Sequence, residues 1–321
     1  MLALACPASL KGVVSAVEAA ALLADGFERA GARAVALPVA DGGEGTAEVI
    51  GGERHEAVVS DPLGRPVVAA WVVRRNGTAV VDSAAALGLP LLAPDERDPL
   101  RASSAGLGEL LLAVLAAQPT QVIVGVGGTA TVDGGAGLRT VLPTWPSHVP
   151  LRVACDVRSP LGDAARVFGP QKGASSEDVQ ELERRLTADR ALEPFADLPG
   201  AGAGGGLGAA LALLGGELLP GSELVLDTIG FDAQARGADL VVTGEGTVDE
   251  TTFAGKAPAA VLARCRRLGV HCVLFGGVVR AGEARALSGD PARARDDLVE
   301  LGMELASSRL RRRPGLDRRL S

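Results

Sequence analysis

The 321-residue sequence predicts an α/β fold built on a parallel sheet and interrupted by antiparallel hairpins. One observation is the order of segments from Gly237 to Gly277: ADLVVTGEG, then GKAPAAVLARCRRLG, then VHCVLFGG. This strand, helix and strand form a βαβ unit, which makes its two strands parallel. A second is that strand, glycine loop and helix already follow one another at the start of the chain. The third is a break in that alternation between about 55 and 82, where short β-rich runs are joined by turn signals. The length predicts about two domains.

Residues 2–6 read as a short buried strand, followed by the loop PASLKG (7–12) and a helix over about 15–30. Ser15 and Glu18 are placed as its capping box and Gly31 as its stop. RAVALPV (33–39) reads as the next strand, ending at ADGGEGT (40–46), whose glycines and acids introduce another helix. HEAVVS, PVVAAWVVRR and GTAVVDS, separated by PLGR and NG, predict the hairpins. A helix over about 104–117, the strand QVIVGV (121–126), the loop GGTATVDGGAG (127–137) and the strand LRVACDV (151–157) resume the α/β pattern. Ser175 and Asp178 cap a helix running to about 190. GAGAGGGLG (200–208) leads into a Leu/Ala run, so it reads as an ordered loop and helix rather than a linker. The end, SSRLRRRPGLDRRL, reads as a solvated helix end and frayed terminus.

Composition narrows the function. Hydrophobic residues make up 47% and charged residues 22%, which supplies a core and argues against disorder. A net charge of −7 argues against a nucleic-acid partner, because phosphate-backbone binding relies on clustered positive charge. No uncharged apolar run approaches the roughly 18–20 residues that span a bilayer, so a soluble cytoplasmic protein with no membrane partner is expected. Cys6, Cys155, Cys265 and Cys272 form no CxxC pair, and His55, His148 and His271 have no zinc-ligand spacing. Cys155, beside Asp156, reads as a buried core thiol.

Only three of the 32 lysines and arginines are lysine, namely Lys11, Lys172 and Lys256, and each adjoins a glycine. Where arginine supplies the general surface charge, a retained lysine points to a need for a compact ammonium that approaches a phosphate as a point charge. The loops PASLKG, ADGGEGT, GGTATVDGG and TGEGTVDETTFAGKAP each join Gly or Ser to a carboxylate or ammonium, the mix that holds a polyphosphate and Mg²⁺. Asp41 and Glu44 lie three apart at a helix start, Glu245 and Asp249 four apart, and Asp133 sits in the longest glycine loop. A single loop aspartate often caps a helix, whereas recurrence in lysine-bearing loops points to metal binding or a general base. GVGGTA (125–130) fits a dinucleotide fingerprint weakly, because Trp145, Pro146, Ser147 and His148 stand where its acidic residue belongs. Gly255-Lys256 is followed by Ala257, with Glu250 ahead of it, so the P-loop pattern is absent.

Taken together, ADGGEGT, GVGGTATVDGGAG, VACDV, VFGPQKGAS, LPGAGAGGGLGAAL and VVTGEGTVDETTFAGKAP resemble the bacterial glycerate kinase family over nearly the whole chain, in the same order. The resemblance implies a Rossmann-like α/β domain (1–48 and 222–321), an inserted second α/β domain (49–221) and an active site in the cleft between them. It implies ATP and Mg²⁺ as cofactors and D-glycerate as the small-molecule partner. By the same resemblance the expected product is 2-phosphoglycerate, with the 3-phosphate as the other outcome, and a homo-oligomer is allowed. Lys11, Asp41, Glu44 and Lys172 are expected to be catalytic. Ser9, Gly42, Gly43, Gly127, Gly128, Thr129, Asp133 and Asp156 are expected on substrate or phosphate. Gly244, Glu245, Gly246, Asp249 and Lys256 are expected on the nucleotide, with Asp133 and Asp249 as metal ligands. Departures from the family pattern are Ala8 for Asp, Val132 for Asn, and Thr247 and Thr251 where Arg and Gln are common. These motivate an alternative, a degenerate member that binds nucleotide or a hydroxy acid with weak catalysis. GVGGTA motivates a second, an NAD-dependent dehydrogenase.

Overall fold

In the computed structural model, which describes residues 1–155 and 157–311, the strands divide between two sheets belonging to two units. The first unit comprises residues 1–40 and 226–321, and the second residues 41–225. In chain order the strands are β1 (Leu2–Ala5), β2 (Arg33–Ala36), β3 (Glu53–Ser60), β4 (Pro66–Val73), β5 (Thr78–Asp82) and β6 (Gln121–Gly125), then β7 (Leu151–Cys155), β8 (Glu217–Pro220), β9 (Leu240–Val248), β10 (Cys272–Val279) and β11 (Arg285–Ala286).

The first unit holds a five-stranded sheet in the order β11-β10-β9-β1-β2, with every pairing parallel. Alternate residues of a strand face opposite sides. Ala3 and Ala5 accordingly join a core layer with Leu23, Phe27 and Leu298, while Leu4 and Cys6 join another with Phe231, Val261 and Cys265. A strand covered on both faces carries no polar alternation, which is why MLALAC is apolar throughout. Helices Ala16–Arg29 and Ala294–Arg311 supply the first layer, and Phe231–Ala235 and Ala257–Leu268 the other.

Some local expectations need correction. Ser15 Oγ accepts the Glu18 N–H at 3.2 Å, but the Glu18 carboxylate accepts from Arg295 Nε at 2.7 Å, so only half the capping box forms. β2 ends at Ala36 rather than at residue 39, ahead of Pro38, which has no N–H to donate to a ladder. The segment TGEG, which closes the predicted strand ADLVVTGEG and also opens one of the predicted glycine loops, belongs to the strand alone. β10 pairs with β9 as far as Val279↔Val248, so the backbone stays extended through both glycines.

The second unit holds a six-stranded sheet in the order β3-β4-β5-β6-β7-β8. β3, β4 and β5 form the antiparallel hairpins, and β5 to β8 pair in parallel. β8 was not anticipated, because four residues ending at Pro220 carry too little pattern to mark an edge strand. The helices Ala105–Ala116 and Ser176–Ala188 form at the expected places, the latter with the full Ser175/Asp178 capping box. GAGAGGGLG is ordered. Gly204, Gly205 and Gly206 have φ of 61°, 74° and 94°, Gly134 N–H donates to Gly205 O at 3.1 Å, and a Cβ on Gly205 would lie 2.0 Å from Thr131 O.

Candidate active site

In the first unit, a cavity of about 320 Å³ opens where β1, β9 and β10 end. In a parallel sheet the carboxyl ends of the strands collect backbone N–H groups and helix N-termini, so ligands gather there. Lys11 is brought to it by a tight turn: Leu10 N–H and Val14 O pair at 2.9 Å, Leu10 is buried, and Gly12 adopts φ of +75°. Lys11 therefore stands exposed at the tip. Ser9, Glu245, Gly246, Thr247, Asp249 and Lys256 line the same cavity. Glycine is needed at 244, where a Cβ would lie 2.3 Å from Phe275 O, and at 246 a Cβ would sit tightly, 3.3 Å from Leu10 Cα.

Charge in this cavity is paired unevenly. Lys256 Nζ stands 3.7 Å from Glu245 Oε2, while Glu245 Oε1 is buried without a hydrogen-bond partner among the described residues. Asp249 accepts from Thr251 Oγ1 at 2.6 Å and from Thr251 N–H at 2.9 Å. The Thr251 hydroxyl is the largest influence holding the Asp249 carboxyl below its ordinary value, and Lys256 adds to it. Thr251, a departure from the family pattern, thus braces Asp249. No cluster of three His, Cys, Asp or Glu side chains suited to a metal occurs among the described residues.

In the second unit, ADGGEGT is shaped by its glycines. Gly42 has φ of +93°, and a Cβ there would lie 2.9 Å from Ala154 O; Gly45 has φ of +87°. Asp41 Oδ1 accepts Gly43 N–H at 3.2 Å, and Thr46 Oγ1 donates to Gly43 O at 2.8 Å. Glu44 is left exposed at the loop. Gly128 lies beside it, since an added Cβ would be 3.5 Å from Glu44 Cβ. Lys172 is buried, and its Nζ donates to Thr131 O at 2.8 Å and to Thr129 Oγ1 at 3.3 Å, joining the QKG segment to the GGTATVDGG loop that also carries Gly127.

Asp133 faces its own loop and helix. Its carboxylate accepts from Ser104 N–H at 2.9 Å, Ser104 Oγ at 2.7 Å, Gly135 N–H at 3.1 Å and Gly137 N–H at 3.1 Å. Val132 is buried in the core of this unit. Asp156 lies outside the described residues. Asp82, the last residue of β5, was missed from sequence; its carboxylate accepts Gly45 N–H at 2.9 Å and Ala47 N–H at 3.0 Å. The available signal was a charged residue closing the apolar run TAVVD at the carboxyl end of a strand.

A parallel sheet with lysines and carboxylates gathered at its strand ends, in a chain whose second unit carries glycine-shaped acidic and basic loops, defines an α/β protein built to hold small anions. The model of the Glycerate kinase family matches residues 3–144 and 139–308. The chain is 41% identical to the glycerate 2-kinase of Escherichia coli (strain K12) over 304 residues, covering 79% of each chain. It is 38% identical to the glycerate kinase of Bacillus subtilis (strain 168) over 320 residues, covering 85% of this chain and 84% of the relative. A crystal structure described as glycerate kinase 2 from Salmonella typhimurium LT2 superposes with a TM-score of 0.82 at 32% identity, covering 97% of this chain and 98% of the other. The chain belongs to the glycerate kinase family.

Proposed function

We propose that the protein phosphorylates D-glycerate with ATP and Mg²⁺, forming 2-phosphoglycerate. The observation that carries the reading, beside family membership, is the convergence of Lys11, Glu245, Asp249 and Lys256 on one cavity at the carboxyl ends of parallel strands. Lys11 and Lys256 would neutralise charge on the nucleotide phosphates, with Ser9, Gly244 and Gly246 letting the backbone approach. Glu245 Oε1, buried and without a hydrogen-bond partner among the described residues, is an acceptor suited to a cation, and Asp249 lines the same cavity. Mg²⁺ is ordinarily held by one or two carboxylates completed by phosphate and water, so the lack of a three-residue cluster among the described residues is compatible with it. When bound, Mg²⁺ offsets charge on the transferring phosphoryl group.

Glu44 takes the role of holding the proton of the glycerate hydroxyl as its oxygen attacks the γ-phosphorus. Asp41 supports it by bonding Gly43 N–H. Lys172 orders the loop bearing Gly127, Gly128 and Thr129, and Asp133 is assigned to scaffolding of that loop rather than to metal. Catalysis then consists of positioning and electrostatics, with no covalent enzyme intermediate. Burial of Val132 in the core and the bracing of Asp249 by Thr251 favour a working enzyme over a degenerate one. Among the described residues no helix is long and apolar enough to cross a membrane, in keeping with the cytoplasmic location we infer. The test is incubation of purified protein with ATP, Mg²⁺ and D-glycerate, followed by phosphorus NMR. A 2-phosphoglycerate signal at catalytic rates is expected. ATP binding without product would support the degenerate reading, and NAD binding without any effect of ATP would overturn the proposal.

A further inference from the structure

Asp82 and the loop it bonds are far apart in sequence, and the link between them is specific. The first amides of a helix have no intrahelical acceptor, and Gly45, at the N-cap of helix Thr46–Ile50, has no side chain to serve them. The two oxygens of Asp82 take over that task, Oδ2 for Gly45 N–H and Oδ1 for Ala47 N–H. The carboxylate is held firmly. β5 is paired on both sides, and Ser83 N–H donates to Gly125 O at 2.8 Å. Gly125 leaves the space required, since a Cβ there would lie 2.7 Å from Gly42 O and 3.4 Å from Asp82 Oδ1. Glu44 immediately precedes one of the two bonded amides, so the direction of its side chain depends on this anchor.

We propose that Asp82 is a positioning residue that fixes the ADGGEGT turn and thereby aims the Glu44 carboxylate. This rests on the reading of Glu44 as the group that holds the hydroxyl proton. An ionised carboxylate accepts both amides at once, whereas a protonated one carries an O–H and loses one of those acceptor positions. Burial raises the Asp82 carboxyl to about 7, against the pull of the Ala47 and Gly45 amides, and Glu44 and Glu48 add repulsion. The turn should therefore loosen as pH falls through 7.

The experiment compares wild type with Asp82→Asn, which keeps the size of the side chain but sets an NH₂ group against one of the two amides. The kcat and KM values for D-glycerate and for ATP are measured from about pH 6 to pH 8, and the Gly45 and Ala47 amide resonances are followed over the same range. Expected are a roughly tenfold fall in wild-type kcat between pH 8 and pH 6, set by the ionised fraction of Asp82; a kcat at least about tenfold lower at pH 8 in D82N, with that fall abolished and the KM for ATP unchanged; and wild-type amide shifts with a midpoint near 7 that vanish in D82N. A D82N enzyme with wild-type kcat and the same acid limb would overturn the proposal, as would Gly45 and Ala47 amide resonances at pH 8 that D82N leaves unmoved. Absence of turnover in wild type would instead sink the kinase reading, while the effect of D82N on the two amide resonances still decides whether Asp82 holds the turn.

Discussion

The Lys256 ammonium stands 3.7 Å from one oxygen of the Glu245 carboxylate, and the other oxygen of that carboxylate is buried without a hydrogen-bond partner among the described residues. An acceptor left unsatisfied in this way costs free energy unless something arrives to use it. If the arriving groups are a phosphate at Lys256 and a cation at Glu245, the two side chains should fail differently. K256A should raise the KM for ATP and lower kcat/KM by about 1.5–3 kcal/mol, the worth of one hydrogen bond to a charged group. E245Q should raise the Mg²⁺ concentration needed for half-maximal rate, with a smaller effect on ATP at saturating Mg²⁺. Steady-state titrations of each variant check this, and an unchanged Mg²⁺ requirement in E245Q would remove Glu245 from the metal side.

Lys172 makes the opposite case, a buried lysine whose ammonium donates inside its own unit to Thr131 O and Thr129 Oγ1. K172M should therefore act on folding as well as on rate. It strands Thr131 O without that donor, at a cost of about 1–3 kcal/mol. K172R should not restore the loss, because a planar guanidinium is bulkier than the buried ammonium it replaces and overpacking costs about 1–3 kcal/mol. Urea unfolding of the three proteins is the measurement, and an unaltered midpoint in K172M would mean that the ammonium is not part of the scaffold.

Asp133 is a test of scaffolding against metal binding. Four donors converge on its carboxylate, and Ser104 Oγ passes the network on by accepting Leu138 N–H at 2.9 Å. D133N replaces one oxygen with a donor facing other donors, so stability should fall by about 2–4 kcal/mol. At temperatures where the variant is folded, its Mg²⁺ requirement should match wild type. A folded D133N with weakened Mg²⁺ dependence would return Asp133 to the metal.

The parts legible in sequence are those decided by neighbours along the chain. Ser175 and Asp178 cap the helix they precede, and NG and PLGR turn the hairpins, because each interaction spans only a few residues. The parts missed are decided by partners elsewhere. The strand ADLVVTGEG runs on through Thr247 and Val248, which read as loop, because pairing with β10 keeps them extended. Glu18 has the spacing of a capping box, but Arg295, 277 residues away, takes its carboxylate. Asp82 serves amides 35 and 37 residues upstream, which no local window contains. In the lysine loops the residue types pointed to anion chemistry, but only the fold separated Lys11 and Lys256, which line a cavity, from Lys172, which is buried among backbone and hydroxyl oxygens.

The first unit also depends on two glycines that meet across a helix pair. A Cβ on Gly26 would lie 2.1 Å from Val299 O, and one on Gly302 would lie 2.5 Å from Leu23 O, so helices Ala16–Arg29 and Ala294–Arg311 approach backbone to backbone. Alanine at either position gains about 1 kcal/mol of helix propensity over glycine. The clash outweighs that gain, because the atoms met are carbonyl oxygens of a packed helix and cannot swing aside, so G26A and G302A should each destabilise by about 1–3 kcal/mol net. One outward shift of a single helix relieves both contacts. The double variant should therefore lose clearly less than the sum of the single losses. Equilibrium unfolding of the two single variants and the double provides the cycle, and additive losses would show that the two contacts are accommodated independently.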